Sequence, residues 1–184
     1  MFRRALLGLL ATFSLTAALV AGTAPQAAAD VHAAVVTITY SDARAGEFVN
    51  AVAQGVAIWN ASVTNVRIVK AAAGTRADVQ VIADDGWPRA TLGPVRPGGS
   101  GTVWMGRQAV NQGYSVVRIA SHEFGHILGL PDMKPGPCSS LMSGSSAGVS
   151  CTNPYPNSTE ISRVQRLYAS SFATSAATGK VVVD

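Results

Sequence analysis

The sequence predicts an α+β domain, a twisted mixed sheet packed on two helices, and three observations lead there. Short runs of β-branched residues recur through the first half of the chain. Two amphipathic segments with apolar residues three and four apart lie between and after them. The C-terminal part is irregular, rich in Gly, Pro and Ser, and ends in a further helical segment.

Val35–Tyr40, reading Val-Val-Thr-Ile-Thr-Tyr, is the first expected strand. Ser41 and Asp42 can cap a following helix over Ala45–Ala61, in which Phe48, Val52, Val56 and Trp59 share one face. Gly55 weakens that helix. Strands are expected at Val66–Lys70, Asp78–Ala83 and Thr102–Met105. Pro88, Pro94 and Pro97 make 84–100 a loop. A second helix is expected over Val116–Leu128, stopped by Gly129 and Pro131. A last one runs from Thr159 to Ala169, capped by Ser158 or Thr159, with Ile161, Val164, Leu167 and Tyr168 on its apolar face.

The 184 residues suit one domain. Met1-Phe2-Arg3-Arg4 is a basic head, an apolar run reaches about Gly22, and Ala27-Ala28-Ala29 ends the stretch. That order reads as a secretory signal peptide over 1–29 and a secreted, extracellular product. Residues 30–34 are a short pro-segment or the start of the mature chain. The domain spans 35–170, and 171–184 form a tail apart from the apolar Val181–Val183. No other stretch is long and apolar enough to span a bilayer, so no membrane partner is expected once the leader is removed. Arg3 and Arg4 leave with it, so 12 of the 14 basic side chains remain against 10 acidic ones. That balance, without a basic stripe, argues against nucleic acid.

Cys138 and Cys151, an even count in an exported chain, predict one disulfide. Closing such a loop stabilises a fold by about 3 kcal/mol. The rival reading, two metal thiolates, lacks the usual spacing.

Chemistry concentrates in Ser121-His122-Glu123-Phe124-Gly125-His126, followed by Gly129 and Asp132. Positions four apart share a helix face, so His122 and His126 can aim two imidazoles at one zinc ion. Glu123 can reach a zinc-bound water and act as general base. His32, the one other histidine, lies just after the expected cleavage site. The third ligand is then a carboxylate, or a cysteine that would forfeit the disulfide. Asp132, brought back by the Gly129 turn, fits. The pattern His-Glu-x-x-His-x-x-Gly-x-x-Asp points to an endopeptidase that hydrolyses internal peptide bonds. The alternative is a secreted zinc-binding protein without turnover.

This pattern resembles the metzincin clan, and its Asp version resembles the snapalysin family of small secreted bacterial neutral zinc proteases. Ala57-Ile58-Trp59-Asn60, Gly136-Pro137-Cys138, Leu141-Met142-Ser143-Gly144 and Ser150–Asn157 extend the likeness over Val35–Ala169. The resemblance implies a metzincin-like fold with a zinc cleft, His122, His126 and Asp132 as zinc ligands, and Glu123 as base. It implies Met142 in a turn beneath the metal, a Cys138–Cys151 disulfide, and Thr102–Met105 as the sheet edge that pairs with substrate. It also implies protein or peptide substrates, with an aromatic residue after the cut bond; a monomer is expected, although nothing in the sequence shows the oligomeric state. Where the family often has a Tyr beyond the Asp ligand, this chain has Lys134, so Lys134 or Tyr155 is expected to help the oxyanion. The family's calcium site uses an Asp before the active-site helix. Ser115-Val116-Val117 has no carboxylate, which argues against calcium.

Overall fold

Residues 34–169 and 180–184 are described in a computed structural model. The leader expected over 1–29, residues 30–33 after it, residue 170 at the end of the expected domain, and 171–179 of the expected tail lie outside the described residues. The first strand, β1 (Val36–Arg44), runs on through Ser41 and Asp42 instead of ending at a helix cap. The Asp42 carboxylate is used across the sheet, 2.8 Å from Lys70 Nζ on β2 (Val66–Lys70), and is not available to a helix end. A 3-10 turn at Gly46–Phe48 then leads into α1 (Val49–Ser62), whose N-cap residue Phe48 offers no side-chain acceptor.

α1 buries Val52, Val56 and Trp59, the face that the apolar spacing marks out. Gly55, which lowers helix propensity by roughly 1 kcal/mol relative to alanine, has a packing reason. A Cβ at this position would lie 2.9 Å from Ser121 N and 3.0 Å from the Ala120 carbonyl carbon, both on α3 (Val116–Ile127). The glycine lets the two helix backbones approach. Trp59 Nε1 then donates to Ser121 O at 2.8 Å, so the large indole is buried with its one donor satisfied.

The sheet has six strands in the order β2-β1-β3-β5-β4-β6. β3 is Val79–Asp84, β4 Arg89–Thr91, β5 Gly101–Gly106 and β6 Val181–Val183. β2, β1, β3 and β5 are mutually parallel, while β4 runs antiparallel to β5 and β6 antiparallel to β4. Two expectations change here. The stretch 84–100 is not all loop, because it contains β4, a strand of three residues between Pro88 and Leu92. And Thr102–Met105, expected at the sheet edge, lies in β5 between β3 and β4. A strand of three residues is too short for alternation to reveal, and it covers the edge that β5 would otherwise present.

One face of the sheet, through Ile38, Val79, Val81, Val103 and Met105, shares a buried core with residues of α1 and α3. α2 (Arg107–Asn111) is a single short turn after β5 that the sequence does not announce. From Leu128 to Ala169 the chain is irregular except for a 3-10 segment at Leu141–Ala147 and α4 (Ser158–Ala169). α4 is capped one residue earlier than expected. Asn157 Oδ1 accepts from Glu160 N at 3.0 Å, and Glu160 Oε2 accepts from Asn157 N at 2.7 Å, a reciprocal pair. Its buried side chains are Glu160, Val164 and Tyr168; Ile161 and Leu167 are partly buried. Cys138 and Cys151 form a disulfide with Cα atoms 5.5 Å apart. Among the described residues no helix is long and apolar enough to cross a membrane.

Candidate metal centre and active site

Ser115 caps α3 by accepting from Arg118 N, and three turns of helix place His122, Glu123 and His126 entirely inside the protein. The two imidazoles meet edge to face with ring centroids 4.6 Å apart. Each is oriented by a carbonyl: His122 Nδ1 lies 2.9 Å from Leu141 O, and His126 Nδ1 lies 2.7 Å from Leu130 O. A carbonyl can only accept, so Nδ1 carries a proton in both rings, and in the neutral form of either ring the lone pair is on Nε2.

The chain leaves α3 through Gly129, at φ +98°, a backbone angle that costs other residues a steric clash. Leu130 N donates to Gly125 O at 2.9 Å, and Leu130 and Pro131 turn Asp132 back to the helix. Asp132 Oδ1 lies 3.3 Å from His122 Nε2 and 3.5 Å from His126 Nε2. These three atoms surround one point, all within 4.8 Å of one another. None has a hydrogen-bond partner, and neither does either oxygen of Glu123. A buried polar atom without a partner costs about 1–3 kcal/mol, so five in one place mark a site shaped for something other than packing. Two imidazole nitrogens and a carboxylate oxygen are the donor set that suits a zinc-like divalent ion.

The electrostatics agree. Burial raises the pKa of Glu123 to about 8, with Asp184 and Asp132 adding to the rise and His122 opposing it. Burial pulls His122 down, but the contact with Asp132 and the charge of Asp184 carry it to about 9. Burial holds His126 below its usual value despite Asp132. Burial would raise Asp132, yet His122 and His126 hold it well below the ordinary carboxylate range. At His122 the carboxylates of Asp132 and Asp184 thus favour a positive charge, and a cation held between Nε2 and Asp132 would meet the same field.

Beneath the histidines, Met142 is buried so close to α3 that a Cβ on Gly125 would lie 2.6 Å from its Sδ. The turn carrying it is clamped by two buried charges. Arg118 Nη2 donates to Ser140 O at 2.9 Å, Leu141 O at 3.3 Å and Ser143 Oγ at 2.9 Å, while Nη1 donates to Asn153 O. Glu160 accepts from Ser140 Oγ at 2.7 Å, Met142 N at 2.9 Å and Leu141 N at 3.3 Å. Because Leu141 O orients His122, this clamp positions a ring of the candidate metal centre. Neither residue stands out in the sequence. Arg118 is merely one turn before His122, and Glu160 is the reciprocal partner in a helix cap.

The structure therefore brings His122, Glu123, His126 and Asp132 together, with Met142 below and the Cys138–Cys151 bridge closing the loop that contains it. Lys134 joins them, its Nζ 3.6 Å from Asp132 Oδ2. Tyr155 is 60% exposed, and its backbone N–H bonds to Asn153 Oδ1. One site residue escaped the sequence reading altogether. Asp184 Oδ1 lies 3.7 Å from His122 Nε2 and 3.0 Å from Lys134 Nζ. The one hint of it is the apolar run Val181–Val183 just before.

The chain is 44% identical over 147 residues to an extracellular small neutral protease of Streptomyces lividans, covering 80% of this chain and 63% of that relative's length. It is 43% identical over 134 residues to the protein of the same name from Streptomyces caespitosus, covering 73% of this chain and 98% of that one. A solved structure of high choriolytic enzyme 1, a hatching-enzyme zinc-protease from the medaka Oryzias latipes, overlaps 73% of this chain and 90% of its own, at 19% identity and a TM-score of 0.49. Residues 35–171, well over half of the sequence and all of the site except Asp184, match one protein family. The chain belongs to the Streptomyces extracellular neutral proteinase (M7) family.

Proposed function

We propose that this chain is an extracellular, zinc-dependent endopeptidase that hydrolyses internal bonds of protein or peptide substrates. The observation that carries the reading is the set of unpaired buried atoms: His122 Nε2, His126 Nε2 and Asp132 Oδ1 around one point, with the unpaired Glu123 carboxylate beside them. His122, His126 and Asp132 would hold the zinc. A bound zinc ion supplies Lewis-acid polarisation of the scissile carbonyl and lowers the pKa of water in the site.

The chain's own groups do the rest. Glu123, whose carboxylate oxygens are unpaired beside the ligand atoms, takes the proton of the attacking water and delivers it to the leaving amine. Burial keeps bulk water from this carboxylate, which holds the proton between the two transfers. Lys134 is the nearer electrophile, close enough to Asp132 to face the same cleft and donate to the developing oxyanion. The carbonyls of Leu141 and Leu130 keep both imidazoles from rotating as charge develops. The recess beside His122, which Ser115, Arg118 and Asp184 also line, has room for about one water, so a preference for an aromatic residue after the cut bond rests on the family resemblance alone. Residues 1–29 act as the export leader, and the domain works as a monomer.

The test is casein hydrolysis by the purified protein, beside Glu123→Ala and a chelator-treated sample. Loss of activity in both, with recovery of the chelated sample on adding zinc, is the expected result. Activity that survives chelation would overturn it. If no variant of a folded, zinc-loaded chain cleaves casein, the chain is instead a secreted zinc-binding protein without turnover.

A further inference from the structure

We infer that the segment Lys180–Asp184 is this chain's own occupant of its substrate groove, with the Asp184 carboxylate as an internal ligand at the metal centre. The inference rests on the peptidase reading above and adds a self-blocking segment to it.

The segment sits where an extended peptide would pair with the sheet. β6 runs antiparallel along the outer side of β4, with Thr91, Ala90 and Arg89 opposite Val181, Val182 and Val183. Flanking bonds lengthen the ladder at both ends: Leu92 N donates to Lys180 O at 2.7 Å, and Asp184 N donates to Pro88 O at 3.0 Å. The outer side of β4 has one set of backbone donors and acceptors, so a peptide adding itself there must displace β6.

The end of the segment is anchored by charge. The Asp184 side chain is 6% exposed. Its Oδ1 accepts from Ser145 N at 3.0 Å, lies 3.0 Å from Lys134 Nζ and 3.7 Å from His122 Nε2, and forms a second possible ligand group with His122 and Glu123. The pocket for it is built into the backbone. Gly144 has φ +52°, and a Cβ there would lie 1.8 Å from Asp184 Oδ1. Only glycine leaves room for the carboxylate.

The same segment is weakly held elsewhere. Val181 is 41% exposed and Val183 54% exposed, so β6 adds little apolar burial to the core. A short strand held by backbone bonds and one anchored carboxylate is suited to displacement. Its advantage over a free peptide is covalent attachment, which sets a high effective concentration.

The test measures peptide binding in the full chain, zinc-loaded and carrying Glu123→Ala so that nothing is cut. The probe is a synthetic peptide with the sequence of residues 180–184, titrated by calorimetry. Val182→Pro removes a backbone donor opposite Ala90 and disrupts the ladder; Asp184→Asn leaves the ladder and removes the charge. Tightening of about tenfold or more with Val182→Pro, and severalfold with Asp184→Asn, is the expected result. Equal affinity in all three chains overturns the inference. Casein hydrolysis by the same two variants with Glu123 intact separates the two readings. Tightened peptide binding without hydrolysis in any chain leaves the groove occupant in place and removes the peptidase. Hydrolysis with unchanged peptide affinity removes the groove occupant alone.

Discussion

Two buried glutamates, one on α3 at the candidate metal centre and one at the start of α4, show how differently this molecule treats the same group. Glu160 is 4% exposed and accepts from Ser140 Oγ, Met142 N, Leu141 N and Asn157 N. Its charge is spread over donors that the backbone places around it, and it closes the turn under the metal centre. Glu123 is fully buried and accepts from nothing. Its carboxylate is held in a position that costs stability, and burial raises its pKa to about 8. The first arrangement is what folding requires of a buried charge. The second persists because the surrounding core over-determines it, which is the usual mark of a group kept for chemistry.

The contrast can be broken at either end. Glu123→Gln should lower casein hydrolysis by about 10²–10⁴-fold, the range for a general base, while thermal unfolding of the metal-free protein stays the same or rises. A large loss of stability would place Glu123 with Glu160. Glu160→Ala should do the reverse, destabilising the fold by about 3 kcal/mol, because several buried donors lose their acceptor. Denaturant titration measures it, and activity should fall with the unfolded fraction or further, since the turn that orients His122 loses its clamp. An unchanged midpoint would remove the clamp from the account.

Smaller effects sharpen the comparison. Lys134→Ala should lower kcat about tenfold, with Tyr155→Phe near wild type, since Lys134 faces Asp132 and the Tyr155 side chain is exposed. If both variants keep their kcat, neither residue stabilises the oxyanion. KM should fall in Lys134→Ala, because Lys134 also anchors Asp184.

The metal-free protein should also respond to pH in a set direction. The folded pKa of His122 is raised from 6.5 to about 9, and that of Glu123 from 4.5 to about 8. A raised folded pKa contributes stability below the unfolded value and loses it as pH rises through the folded one. His126 and Asp132 are shifted down, so their contributions change only below their ordinary values of 6.5 and 3.8. Between about 6.5 and 9 the first pair acts alone, and the melting temperature of the metal-free protein should fall across that window. Zinc, which takes the place of the shared proton, should flatten the fall. A melting temperature that rises with pH would contradict the assignment of charges.

Much of the centre was legible beforehand because its chemistry is local. The helical repeat alone puts His122 and His126 on one face, and Glu123 follows from its place beside the first of them. Gly129 and Asp132 are close enough in sequence that a turn, with its own residue preferences, joins them to α3. The two cysteines had only each other. The helices α3 and α4 were also readable, within a residue or two at each end, from apolar spacing.

What the sequence by itself determined is therefore the set of contacts made within one turn or one short loop, where backbone geometry ties spacing to direction. The tertiary structure alone decided the rest. It placed β4, three residues long, between β5 and β6, and moved Thr102–Met105 inside the sheet. It brought Arg118 and Glu160 around Met142, and set Asp184 against His122 across more than sixty residues of chain. Such neighbours are chosen by packing of whole elements, and packing leaves no period or spacing in the sequence from which they could be read.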